Sequence, residues 1–109
     1  MQDLQNELRK YRDKLDLTIK ELKARGQNKA KCECDYRIEL AKEMLMQRSE
    51  GMPVTIISDI VRGKKEIATL KMQRDIAETL YESCLQAIYS TKLQMQLIQS
   101  QIEAERKGE

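Results

Sequence analysis

Forty-three consecutive residues, Lys64 to Arg106, contain neither glycine nor proline. Along them one set of positions recurs in steps of three and four: Ile67, Leu70, Arg74, Ala77, Tyr81, Cys84, Ile88, Thr91, Met95, Ile98 and Ile102. Steps of three and four keep side chains on one face of a helix, the face that packs against a second helix. At 1.5 Å per residue this helix is about 65 Å long, more than a compact domain of this size is wide. The expected fold is therefore all-α and elongated. It is either an antiparallel helical hairpin or a three-helix coiled-coil-like bundle, a single domain over residues 1–109 that ends in one long helix.

The remaining segments fit that plan. Residues 3–25 place Leu4, Leu8, Tyr11, Leu15, Thr18 and Leu22 on one helical face, with seven bases and five acids between them. Helix propensity drops at Gly26-Gln27-Asn28, which reads as a turn or as a weak point in one continuous helix. Helical spacing resumes over 29–50 through Ala30, Cys34, Ile38, Ala41 and Leu45, widened by Leu40, Met44 and Met46. Gly51-Met52-Pro53 ends that helix, because glycine tolerates a left-handed cap and proline cannot continue the hydrogen-bond ladder. Residues 51–63 form the tip, with Val54 extended, Thr55 expected as N-cap of a short helix, and Gly63 terminating it.

Composition narrows the function. The chain has no histidine, so the commonest general base and neutral metal ligand are missing. No glycine-rich loop suits phosphate cradling, and no Ser, Thr or Cys lies beside a strained turn and a base. The sequence is thus read as non-enzymatic and without a cofactor. No apolar run reaches the 18 residues that would span a bilayer. The N-terminal residues lack a secretory pattern, and three cysteines (Cys32, Cys34, Cys84) suit a reducing cytoplasm. Two residues apart on a helix point about 200° from each other. Cys32 and Cys34 therefore make a poor metal pair, no metal site is expected, and Cys34 and Cys84 read as small apolar seam residues.

The net charge is only +2, from 20 bases and 18 acids, but it is unevenly placed. Residues 62–75 carry five bases and two acids, whereas 76–109 carry three bases and five acids. The tip residues Thr55, Ser58, Arg62, Lys64 and Lys65 form a candidate binding surface, with the alternative that Asp59 pairs with Arg62 or Lys64 and the lysines are hydrated. Arg74 interrupts the apolar seam. It is expected either to pair with Glu39 or Glu43 or to join Tyr36, Arg37 and Tyr81 in a pocket for an anionic nucleotide. The seven bases of residues 3–25 are interleaved with acids, which reads as a solvated face with local ion pairs. Between Ile76 and Ile102 only Glu78, Glu82 and Lys92 are charged. So few charges imply burial against more than one neighbour, and a homo-oligomer is expected through Ile76, Leu80, Cys84, Ile88, Met95, Ile98 and Ile102.

The stretches 36–42 (Tyr-Arg-Ile-Glu-Leu-Ala-Lys), 51–57 (Gly-Met-Pro-Val-Thr-Ile-Ile), 62–66 (Arg-Gly-Lys-Lys-Glu) and 74–78 (Arg-Asp-Ile-Ala-Glu) resemble small uncharacterised helical proteins encoded by phages and prophages of Firmicutes. The resemblance covers roughly residues 36–103. It implies an accessory protein in a bacterial cytoplasm that binds a host or phage protein, for instance to inhibit host defence, and it assigns no functional residues. The alternatives are an oligomeric sponge for an anionic nucleotide-type ligand and a nucleic-acid-associated recombination or replication accessory.

Overall fold

The computed structural model describes residues 2–108, and every regular element among them is helical: α1 (Gln2–Ser49), α2 (Val54–Arg62) and α3 (Lys65–Gly108). Helix α1 runs through Gly26-Gln27-Asn28 without a turn, so the two N-terminal helical segments are one helix. The described residues divide into two compact units, one built from 2–25 and 81–108, the other from 26–80.

In the first unit, the N-terminal part of α1 packs on the C-terminal part of α3. Cys84, Ile88, Thr91, Ile98 and Ile102 are buried, and Tyr81 and Met95 are half-buried. Each fully buried isoleucine contributes roughly 1.5–3 kcal/mol. They face Leu4, Leu8, Tyr11, Leu15, Thr18 and Leu22, all half-buried, so the expected seam of this part of α1 is the observed one. The two threonines on the seam satisfy their hydroxyls within their own helices. Thr18 Oγ1 donates to the Lys14 carbonyl and Thr91 Oγ1 to the Ala87 carbonyl, each at 2.8 Å. The Cys84 thiol donates across the seam to the Thr18 carbonyl at 3.4 Å.

In the second unit, Tyr36 of α1, Ile57 and Val61 of α2 and Ile67 of α3 form the buried cluster, with Leu40, Met44, Met52 and Leu70 packed around it. Glu43 meets Lys64, and Glu33, ten residues earlier, meets Arg74, ten residues later. The partners therefore run in opposite directions, and this pair of segments is antiparallel.

Two local expectations differ from what is observed. Of the face expected to pack over 29–50, Leu40 and Met44 lie against the buried cluster, whereas Ala30, Cys34, Ile38, Ala41, Leu45 and Met46 are exposed, with Leu45 at 72%. The inward positions are Gly26, Lys29, Glu33, Tyr36, Leu40, Glu43 and Gln47, all half-buried or buried. The cause is continuity. An unbroken helix carries its phase onward from Leu22, with one extra step of four from Leu22 to Gly26 after the step of four from Thr18 to Leu22. The second difference is the start of α2, which begins at Val54. Its N-cap is Pro53, with φ −59° and ψ 139° and no side-chain cap hydrogen bond, so Thr55 lies within the first turn instead of capping it. Proline fixes its own φ and has no N–H to lose, which makes it an adequate helix entry without a capping hydroxyl.

The turn between α1 and α2 is a Schellman motif. The Gly51 N–H donates to the Arg48 carbonyl at 3.1 Å and the Met52 N–H to the Gln47 carbonyl at 3.0 Å. Gly51 holds φ +95°, the left-handed region that the sequence reading required of it. Gly63, which closes α2, is different: its φ of −82° and ψ of −9° are right-handed.

Candidate functional site

Arg74 interrupts the seam of α3, where pairing with a carboxylate and a place in a ligand pocket are the alternatives. Its guanidinium lies 4.7 Å from the Tyr36 ring centroid. Its Nη2 meets Asp75 Oδ1 at 3.0 Å, and its Nε lies 3.4 Å from Glu33 Oε2. Arg37 Nε reaches the other oxygen of Glu33 at 2.6 Å. The hydrogen bond from Arg74 holds the Asp75 carboxyl below its usual range and raises the guanidinium. The hydrogen bond from Arg37, ahead of the nearby Arg74 charge, does the same to Glu33. Arg74, Tyr36 and Arg37 thus lie together, and the two arginines face Glu33 and Asp75, the latter also met by Lys71 at 3.3 Å. The cluster fastens α3 to α1, and each arginine in it already has a carboxylate partner. Tyr81 lies on the α3 seam of the other unit.

Neither carboxylate expected to partner Arg74 does so. Glu39 lies 3.6 Å from Lys42 on its own helix, and Glu43 accepts from Lys64 Nζ and, at 3.0 Å, from Gln47. Those two hydrogen bonds, Lys64 first, hold the Glu43 carboxyl below its ordinary range. Lys64 therefore belongs to the framework. Of the other tip residues, Thr55, Arg62 and Lys65 are exposed and Ser58 is half-buried. Around them α2 turns Ile57 and Val61 inward and leaves Val54, Ile56 and Ile60 in solvent. The tip surface is therefore apolar with a basic rim, rather than basic throughout.

The expected oligomer face also divides. Cys84, Ile88, Ile98 and Ile102 are buried inside the chain and Met95 is half-buried, so that side of α3 is already covered. Ile76 and Leu80 are exposed, and with Met72, Ala68 and Lys71 they line a groove of about 540 Å³ in the second unit. In the first unit, the side of α3 opposite its buried seam reads Ser83, Gln86, Ser90, Leu93, Leu97, Ser100 and Ala104, again in steps of three and four. All of these are exposed, with Leu93 at 61% and Leu97 at 57%, and none is charged. Tyr89 stands exposed beside them. Of residues 83–102 only Lys92 carries a charge. This second seam is inconspicuous in the sequence because serine and glutamine flank its two leucines, although the absence of charge along it is visible there.

Among the described residues no three His, Cys, Asp or Glu side chains gather to hold a metal ion, and no helix is long and apolar enough to cross a membrane. Cys32 is half-buried, Cys34 exposed and Cys84 buried, so of the two cysteines assigned to seams only Cys84 occupies one. Set against known proteins, the chain matches no family model, no curated protein and no solved structure, and its functional reading rests on its own residues.

Proposed function

We propose that this chain is a non-catalytic binding protein that works as a homo-oligomer, assembled through the outward face of α3 and recognising a protein partner through the α2 tip. The observation that carries the reading is the uncharged second seam from Ser83 to Ala104, with Leu93 and Leu97 more than half exposed. A two-fold interface sets each patch against its own copy. A charged face would repel itself there, whereas an uncharged one with leucines spaced four apart can pack on itself and bury them. Serine and glutamine on either side of the leucines supply donors and acceptors for hydrogen bonds across such an interface. At the tip, exposed Val54, Ile56 and Ile60 beside Arg62 and Lys65 suit an apolar protein surface with an acidic margin.

Sedimentation equilibrium at tens of micromolar tests the assembly. The expected mass is a multiple of 12.8 kDa. Leu93→Asp combined with Leu97→Asp should reduce it to one chain with the helical circular dichroism intact, because neither side chain belongs to the buried seam. A wild-type protein of 12.8 kDa, or a double variant of unchanged mass, refutes the assembly. The tip is tested on the same preparations. A partner that co-purifies with the wild type should be lost from Arg62→Glu/Lys65→Glu at unchanged oligomer mass, and its retention refutes the tip as the recognition surface.

A further inference from the structure

The first unit holds a second, different feature. Where the start of α1 meets the end of α3, a groove of about 490 Å³ is bordered by Arg9, Arg12 and Arg106, with Glu103 its one acidic lining residue. Leu8 and Ile102 contribute apolar surface, and Gln5 and Gln99 add two side-chain amides. The sequence reading gave Arg9 and Arg12 to a solvated face with local ion pairs. On that face Arg25 does pair with Glu21, at 3.2 Å. Among the described residues, however, neither Arg9, Arg12 nor Arg106 has an ion-pair partner. Arg9 and Arg106 are 97 residues apart in sequence, and only the pairing of the two helices brings them to one concavity.

Three unpaired guanidiniums around one groove repel each other, and a bound anion reverses the sign of that interaction. Guanidinium is planar and presents paired N–H donors that match two phosphate oxygens at once. The groove falls within the size range of small-molecule sites, about 300–1,000 Å³, and its exposed lining is mostly polar, as suits a charged ligand. We propose that it binds a phosphate-bearing small molecule of nucleotide size. The arginines hold the phosphates, and Gln5 and Gln99 supply donors and acceptors to the edge of a base. Glu103 opposes the phosphates and limits affinity. This site uses none of Arg74, Arg62 or the tyrosines, and it does not depend on the assembly proposed above.

The test is isothermal titration calorimetry of the full chain at low ionic strength, with ATP and inorganic tripolyphosphate as probes. Both should bind at one site per chain, with ATP several-fold tighter because only it carries a base edge for Gln5 and Gln99. Arg9→Gln with Arg106→Gln should weaken both probes by at least about tenfold, the effect of losing charge-assisted bidentate contacts. Lys20→Gln with Lys23→Gln removes the same charge from exposed sites on the same helix and should leave binding unchanged. Glu103→Gln should tighten ATP, which guards against a loss caused only by misfolding. Equal weakening by the two double variants overturns the site in favour of diffuse attraction, and so does the absence of heat from both probes at millimolar concentration. Equal affinity for the two probes overturns the nucleotide class. Binding confined to single-stranded DNA, with a steep salt dependence, overturns a small-molecule ligand.

Discussion

Gly51 and Gly63 flank α2, and exchanging each for alanine should move stability in opposite directions. At Gly51 the backbone sits at φ +95°, and a Cβ added there would meet nothing within 4 Å. The whole cost of Gly51→Ala is then backbone strain, about 1–2 kcal/mol for an L-residue held in the left-handed region. At Gly63 the backbone is right-handed, and an added Cβ would lie 3.6 Å from the carbonyl oxygens of Asp59 and Ile60, ordinary contact. Gly63→Ala therefore costs nothing in the folded state and restricts the unfolded chain, a gain of about 0.4–1 kcal/mol. For a chain of roughly this length each kcal/mol shifts Tm by about 4–8 °C. Gly51→Ala should melt lower by about 5–15 °C, and Gly63→Ala higher by about 2–8 °C. Asparagine at position 51 should fall between glycine and alanine, since it tolerates left-handed backbone better than alanine does. Melts followed at 222 nm, at one fixed protein concentration because self-association would add to apparent stability, read these shifts. Gly51→Ala melting at or above the wild type refutes the Schellman cap, and Gly63→Ala falling as far as Gly51→Ala refutes the distinction between the two turns.

Val61 is fully buried in the second unit, so Val61→Ala should cost about 2–3 kcal/mol from lost transfer energy and the residual cavity. Val54→Ala, at an exposed site on the same helix, should change urea stability by less than about 0.5 kcal/mol, and equal effects would show that α2 does not pack through Ile57 and Val61. The pH dependence has a defined sign. Glu33, Glu43 and Asp75 are all held below their ordinary values of 4.5, 4.5 and 3.8 by hydrogen-bonded cations. Their contribution is complete above that range and lost as pH falls through the lowered values. Tm should be flat from pH 7 to pH 5.5 and drop toward pH 3, with a shallower drop in Glu43→Gln; identical profiles for that variant and the wild type would remove the Lys64 clamp from the account.

The seam of α3 was legible because one unbroken period ran its whole length, and every position it named is buried or half-buried. The same period in residues 4–22 of α1 was legible for the same reason. Over 29–50 it found Leu40 and Met44 but misplaced the centre of the face, because the inward positions include Glu33, Glu43 and Gln47, which hydropathy assigns to solvent. Arg74 and Lys64 across the pair make the first two tolerable inside, and nothing local announces those partners. Meanwhile Ile38 and Leu45 suggested an inward face that the continuous helix turns outward. The order of the tip was read correctly from Gly51, Pro53 and Gly63, yet Thr55 drew the cap away from Pro53 because hydroxyl residues are the usual helix starters. The residues of the outward seam were in plain view, but their meaning depended on knowing which side of α3 the chain covers by itself. The arginine groove joins opposite ends of the sequence, and no local pattern could have assembled it.

A face without charge has no means of refusing a partner. Specific helix pairing depends as much on like charges that oppose wrong neighbours as on contacts that favour the right one. From Ser83 to Ala104 the outward positions of α3 carry no such opposition, and only Leu93, Leu97 and Tyr89 mark a register. In the assembly proposed above, related chains with the same pattern would compete for the same face, so its composition would follow whichever such chains are present together.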